Sequence, residues 1–114
     1  MDIADDVVRV GKALGDPTRV QLLVCLAQRA LCVCELVQLV DVGQPAVSRH
    51  LRILREAGLV EDVRAGKFVN YRLRRPPRTA FGAVALAELL ASYAADAALR
   101  RMSEGALVVD RACL

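Results

Sequence analysis

The sequence predicts a mainly α-helical domain carrying one small β-hairpin, in the order α-α-α-α-β-β-α. Hydrophobic residues make up 55% of the 114 residues and aromatics only 4%. The interior is therefore built from Leu, Val and Ala, which suits helices packed on helices. Helix start signals at Asp16-Pro17 and Gln44-Pro45, and a stop signal at Gly58, divide the first half into segments. Two short alternating runs then meet at a glycine, the pattern of a hairpin. The length is that of one domain with a single core.

The elements follow in order. Residues 3–14 read as a short amphipathic helix with Ile3, Val7, Val8 and Leu14 as its apolar side. Asp16 can cap a second helix and Pro17 fits its first position; this helix runs to about Arg29 and carries Val20, Leu22, Leu23, Leu26 and Ala27 inward. A third helix spans about Cys34 to Val40, and Asp41-Val42-Gly43 forms the turn after it. The fourth opens at Gln44-Pro45, buries Val47, Leu51 and Leu54, leaves Ser48, Arg49, Arg52 and Arg55 outside, and stops at Gly58. Leu59–Arg64 and Phe68–Leu73 form the hairpin around Ala65-Gly66-Lys67, and Pro76-Pro77 ends it. A single long helix from about Thr79 to Met102 closes the domain, taken as residues 1–103, and residues 104–114 form a tail carrying Cys113. A helix-turn-helix followed by a basic two-stranded ribbon is a winged helix-turn-helix. Its second helix enters the major groove while the hairpin tip lies along the neighbouring backbone.

Charge is distributed to match. Residues 49–78 hold nine Lys/Arg against three acids, a local +6 within a chain of net +3. Such a patch favours a polyanion through phosphate contacts and counterion release. The N-terminus shows no basic region followed by an apolar stretch, and Glu88, Ser92 and Asp96 interrupt the apolar run 81–99, so neither a signal peptide nor a membrane span is expected. A soluble cytoplasmic protein follows, with its four cysteines reduced.

Two of those cysteines, Cys32 and Cys34, stand one residue apart at the entrance to the helix-turn-helix. Thiolates prefer soft, thiophilic ions, and a soft-ion site on the element that positions a recognition helix is the layout of a sensor. On an ideal helix, residues i and i+2 diverge by about 200°, too far for both sulfurs to reach one ion at the ~2.3 Å of a thiolate bond. Chelation is therefore expected to unwind the start of this helix and tilt the recognition helix behind it. An enzymatic reading has little support. The sequence offers no Ser/His/Asp set, no phosphate loop and no paired acids, and a redox role for the pair lacks a nearby positive charge, with Val33 and Glu35 as neighbours.

The stretches Leu14-Gly15-Asp16-Pro17-Thr18-Arg19, Cys32-Val33-Cys34-Glu35-Leu36, Gln44-Pro45-Ala46-Val47-Ser48-Arg49-His50-Leu51 and Leu54-Arg55-Glu56-Ala57-Gly58-Leu59-Val60, with the wing Gly66-Lys67 to Asn70-Tyr71-Arg72-Leu73, resemble the ArsR/SmtB family over roughly residues 10–75. The resemblance implies a dimeric winged-helix repressor that leaves its operator, an inverted repeat, when a metal or metalloid binds. Cys-Val-Cys on the first helix of the pair is similar to the arsenic-responsive branch, so the implied inducer is As(III) or Sb(III), with Cd(II), Pb(II) or thiol oxidation as the alternative within the same fold. The arsenic-responsive pattern has a further Cys where Val37 stands, and the cadmium/lead pattern adds Cys from an N-terminal extension, whereas this chain has none before Cys25. The zinc, nickel and cobalt patterns use His, and the single His50 lies in the recognition helix.

Trivalent arsenic and antimony favour three thiolates. The implied ligands are Cys32 and Cys34, and the third donor stays open: Cys113 is one candidate, reachable because residues 103–113 can stretch ~30 Å, and an exogenous thiol or hydroxide is another. Cys25 ranks behind Cys113, since it sits in an apolar run where Cys serves as a small hydrophobe. For DNA, Gln44, Ser48, Arg49 and Arg52 are the groove candidates, followed by His50, which can alternatively pack neutral at the helix edge. Arg64 and Lys67 flank the wing turn and would meet phosphates or the minor groove. The first and last helices are expected to form a homodimer seam, because their apolar sides exceed what one small core needs.

Overall fold

The computed structural model describes residues 3–110. The first helix, α1 (Ile3–Leu14), is followed by α2 (Pro17–Leu26), where the Asp16 carboxylate accepts from the amides of Thr18 at 2.8 Å and Arg19 at 3.3 Å. A two-residue strand, β1 (Leu31–Cys32), leads into the short helix α3 (Val33–Val37), and the next helix, α4 (Gln44–Glu56), carries Pro in its first turn. Strands β2 (Val60–Ala65) and β3 (Phe68–Leu73) form the hairpin, with Gly66 at a positive φ of 63° at its tip. The three strands are antiparallel in the order β1-β3-β2. Leu31 pairs with Tyr71 and Cys32 with Asn70, while Val60 pairs with Leu73 at the hairpin's base.

One core holds these elements together. Leu22, Leu23, Leu31, Leu36, Leu51, Leu54 and Leu59 are fully buried, joining α2, β1, α3, α4 and the base of the hairpin. The inward set Val47, Leu51 and Leu54 of α4 is as the spacing predicts. On α1 the buried residues are Asp6, Val10 and Ala13; Ile3, Val7 and Val8, expected on its apolar side, are exposed.

The single long helix expected over 79–102 is two helices. One is α5 (Ala80–Ser92), capped by Thr79, and the other is α6 (Ala97–Gly105); a 3-10 turn at Tyr93–Ala95 separates them, and their axes are bent by 102°. The cause is Asp96, which takes an extended conformation and accepts from the Leu99 amide at 3.0 Å, a cap placed inside the apolar run. The bend lays α6 back over α2. There Gln28 donates to the Tyr93 hydroxyl at 3.2 Å and to Ser103 Oγ, and Ser103 and Ala106 are buried. No single helix among the described residues is long and apolar enough to cross a membrane.

Gly58 sets the angle between α4 and the hairpin. Its φ is +77°, the Leu59 amide reaches back to the Leu54 carbonyl at 3.1 Å, and a Cβ here would lie 2.6 Å from Cβ of Arg78. Gly58→Ala is therefore expected to cost at least about 1–2 kcal/mol for the left-handed conformation alone. The overlap with Arg78 adds to that loss, read as a lowered denaturation midpoint.

Candidate thiol site and nucleic-acid interface

Cys32 is the residue that caps α3. Its φ and ψ are −86° and 167°, it belongs to β1, and it is buried. Cys34 occupies the second position of α3 and is half-buried. The pair is thus split between a strand and a helix, which corrects the expectation that chelation must first unwind a helix holding both. The 200° divergence applies to two helical residues, and Cys32 is already extended because its backbone pairs with Asn70 of the wing.

The buried carboxylate of Glu35 organises this turn. It accepts from the Cys32 amide at 3.0 Å and from Arg29 Nη2 at 2.8 Å. Burial works against its charge, but the Cys32 amide, the Arg29 guanidinium and the Cys32 thiol together hold its pKa below the usual carboxylate range. Arg29 also donates to the carbonyls of Ala106 at 2.9 Å and Val109 at 2.7 Å. Gln38 adds a bond to the Asp110 carbonyl at 2.8 Å and one to that of Cys34 at 3.2 Å. The chain beyond α6 is thereby fastened across the face of α3 that carries Cys34, as far as residue 110.

The expectation that every thiol is reduced does not hold, because Cys34 is disulfide-bonded whereas Cys25 and Cys32 are free. Reduction is an expectation from the compartment alone, and nothing in the local sequence around Cys34 fixes the state of its sulfur. Cys113 lies outside the described residues. Cys25 is fully buried in the core of α2 with its Sγ 3.8 Å from the Met102 carbonyl, and burial pushes its thiol up to about 12. It stays protonated, as a core side chain does. The described residues form no group of three or more His, Cys, Asp or Glu able to hold a metal ion, so a site at Cys32 and Cys34 needs a further donor.

On the far side of α3, helix α4 presents Gln44, Ser48, Arg49 and Arg52 exposed along one face, with His50 half-buried at its edge. Arg55 lies 3.6 Å from Asp62, and Arg72 donates to Glu61 at 2.7 Å, so some of the positive charge in this region is already compensated. No ion pair of Arg49, Arg52 or Arg64 occurs among the described residues. Arg64 and Lys67 are exposed at the wing, where Lys67 stands 5.7 Å above the Phe68 ring. The structure sets His50 apart from the other candidates: its Nδ1 lies 3.0 Å from Nη1 of Arg19.

Sequence reasoning missed Arg29, Gln38 and Arg19 as site residues. Apart from the Arg29–Glu35 pair, their contacts run to backbone carbonyls or to a partner far along the chain, which leave no local pattern. Glu35 had a signal, since a carboxylate three residues after a cap is the spacing of a capping box.

Residues 16–62 match the bacterial regulatory protein, arsR family. The arsenical resistance operon repressor of Escherichia coli is 45% identical over 67 residues, which are 58% of this chain and 57% of that protein. The chain thus spans little more than half the length of that curated relative. Among solved structures, the transcriptional repressor BigR from Xylella fastidiosa superposes with a TM-score of 0.68 at 33% identity, covering 82% of this chain and 89% of that one. The homodimeric winged helix-turn-helix DNA-binding domain Mb0332 from Mycobacterium bovis, a possible ArsR-family regulator, gives 0.65 at 30% identity over 82% of this chain and 85% of that one.

Proposed function

The chain belongs to the ArsR family of bacterial regulatory proteins, and on that premise we propose that it is a homodimeric transcriptional repressor released from an inverted-repeat operator by As(III) or Sb(III). The inducer binds the thiolates of Cys32, Cys34 and Cys113. The observation that carries this reading is the position of the thiol pair. Cys32 is hydrogen-bonded into the wing sheet, Cys34 rides on α3, and α3 packs against the recognition helix α4. One ion gripping both sulfurs couples the two DNA-contacting elements at their junction.

Three features support the individual assignments. Arg29 and Gln38 hold the chain to residue 110 beside α3, three residues before Cys113, so the third thiolate is within reach without rearrangement of the body. Gln44, Ser48, Arg49 and Arg52 form an exposed polar row on α4 suited to base edges and phosphates. Exposed Ile3, Val7 and Val8 on α1, with Val84 on α5, make an apolar surface on two helices that pack together, suited to burial against a second copy.

Release follows from charge and geometry. Ligation replaces the Cys32 thiol beside Glu35 with a metalloid-bound sulfur and draws Cys34 toward it, which turns α3 against β1. Because α4 rests on α3, the recognition helix moves relative to the wing, and inducer and operator oppose each other through a coupling free energy. Shifting a population from roughly 1:99 to 99:1 takes about 5.5 kcal/mol of differential binding, a scale that two or three thiolate bonds can supply.

The test is a titration of the reduced protein onto duplex DNA from upstream of its own coding sequence, with and without arsenite. Arsenite is expected to weaken binding by one to two orders of magnitude. Arg49→Ala and Arg52→Ala are each expected to weaken binding and to reduce the salt slope by about one where the lost contact is a phosphate. No binding to any upstream duplex at low salt, or binding indifferent to both substitutions, would overturn the reading. Parallel titrations with cadmium and lead identify the ion. A second reading is favoured by the disulfide at Cys34, formed while Cys32 is free: Cys34 responding to thiol oxidation with a cysteine other than Cys32, shown by release with a mild oxidant in the absence of any ion.

A further inference from the structure

We infer that Arg19 is a positioning residue for operator binding, fastening the recognition helix α4 to the end of α1 through a neutral His50. The inference rests on the operator-binding reading and on a contact that reading does not use. The Arg19 guanidinium spans three acceptors: Nε donates to the Ala13 carbonyl at 2.7 Å, Nη2 to the Lys12 carbonyl at 2.8 Å, and Nη1 lies 3.0 Å from His50 Nδ1. Both carbonyls belong to the last turn of α1, where they lack partners within the helix and where a cation is favoured.

Without this contact α1 and α4 have little in common. Helix α1 packs on α2 and α5, whereas α4 packs on α2, α3 and β2. One guanidinium thus ties the proposed dimer helix directly to the groove-reading helix. In a twofold reader that tie fixes the spacing and tilt of the two recognition helices, which the half-site spacing of the operator must match.

The bond dictates the state of the histidine. Arg is always a cation and has only donors to offer, so Nδ1 must be unprotonated and the ring's hydrogen must sit on Nε2. The charged groups facing His50 are Asp16 from the α1–α2 junction, Arg19 from α2 and Arg49 from α4 itself. Burial, joined by the two arginines and opposed by Asp16, holds its pKa below 6.5. With the folded value depressed, the neutral ring is present above the ordinary histidine pKa and is lost as the pH falls through the lower folded value. Protonation then places an N–H and a positive charge against the guanidinium, and the tie opens.

The sign of this effect separates positioning from contact. A cationic His50 touching phosphate would tighten operator binding on acidification; a His50 that must stay neutral loosens it. His50 is the chain's one histidine, so its nitrogen resonances are assigned without ambiguity. By 15N NMR of the reduced, DNA-free protein, the Nε2–H tautomer and a pKa below the ordinary value are expected; a protonated Nδ1 at neutral pH overturns the inference. Operator affinity is then measured from about pH 7.5 to about pH 5.5 for wild type, His50→Asn and Arg19→Met. Asn keeps an acceptor near the Nδ1 position and does not titrate, so its affinity should fall less on acidification than that of wild type. Arg19→Met should lose roughly tenfold at the upper pH, the scale of a hydrogen bond to a charged group, and follow the flat profile of His50→Asn. Identical profiles in wild type and His50→Asn, or tighter wild-type binding at low pH, would overturn the inference. If no form binds the operator, the operator-binding reading fails, and the histidine spectrum alone still judges the contact.

Discussion

In the Cys32→Ser/Cys34→Ser double variant, operator affinity should stay within a few-fold of wild type while arsenite loses its effect, a change on the order of 10- to 100-fold in the ligand's coupling to DNA. Serine is close in size to cysteine, and neither sulfur fills a large apolar volume: Cys32 is 4% exposed at the edge of the core and Cys34 is half-buried. The bond from the Cys32 backbone amide to Glu35 is untouched by the exchange, and a serine hydroxyl can donate to that carboxylate where the Cys32 thiol does. What disappears is thiolate affinity for a soft ion, which a hydroxyl does not replace. Release of DNA by arsenite at wild-type concentrations in this variant would show that the inducer site lies elsewhere. Fluorescence anisotropy with a labelled operator reads both quantities in one titration.

The second large effect is expected at Arg29. This side chain joins Glu35, whose side chain is 3% exposed, to the carbonyls of Ala106 and Val109. Arg29→Ala removes the cation paired with the buried carboxylate and frees three carbonyls, counting Ala30 at 3.1 Å. Breaking a buried pair from one side costs about 3–5 kcal/mol, and the partial exposure of Arg29, at 35%, brings the expected loss toward the lower end of that range. Arg29→Lys separates the two roles. A lysine can pair with Glu35 but lacks the planar fork that reaches both carbonyls, so most of the stability should return while the grip on the chain after α6 does not. Arsenite affinity in Arg29→Lys is then expected to fall toward that of Cys113→Ser. Wild-type arsenite affinity in a stable Arg29→Lys protein would disconnect that segment from the site.

These residues also show what a sequence discloses and what it withholds. Asp16-Pro17, Gln44-Pro45, Gly58 and Gly66 announce their turns because each satisfies a local requirement: a cap, a fixed φ or a left-handed backbone. The four-helix order and the wing followed from them, and so did the exposed row on α4. Strand β1 left no such mark. Two residues are too few to show alternation, and Leu31 and Cys32 are extended because β3, some 40 positions later, offers them hydrogen-bond partners. That one tertiary pairing overturned the argument from helical divergence and moved Cys32 off the helix.

Asp96 was visible as a polar interruption of an apolar run, yet an interruption and a cap look alike until the following segment has somewhere to pack. The packing site is α2 and the turn after it, where Gln28 bonds Ser103. Arg29 and Arg19 are silent for a related reason. Their partners are mostly main-chain carbonyls, which every residue carries, the farthest being Val109, 80 positions from Arg29.

Arsenic K-edge X-ray absorption on the reduced, arsenite-loaded, full-length protein tests the thiol site directly. A first shell of three sulfur neighbours is expected for wild type, falling to two sulfurs and one oxygen in Cys113→Ser and to at most one sulfur in Cys32→Ser/Cys34→Ser. A three-sulfur shell that survives loss of Cys32 and Cys34, or a wild-type shell of oxygen alone, would contradict the account.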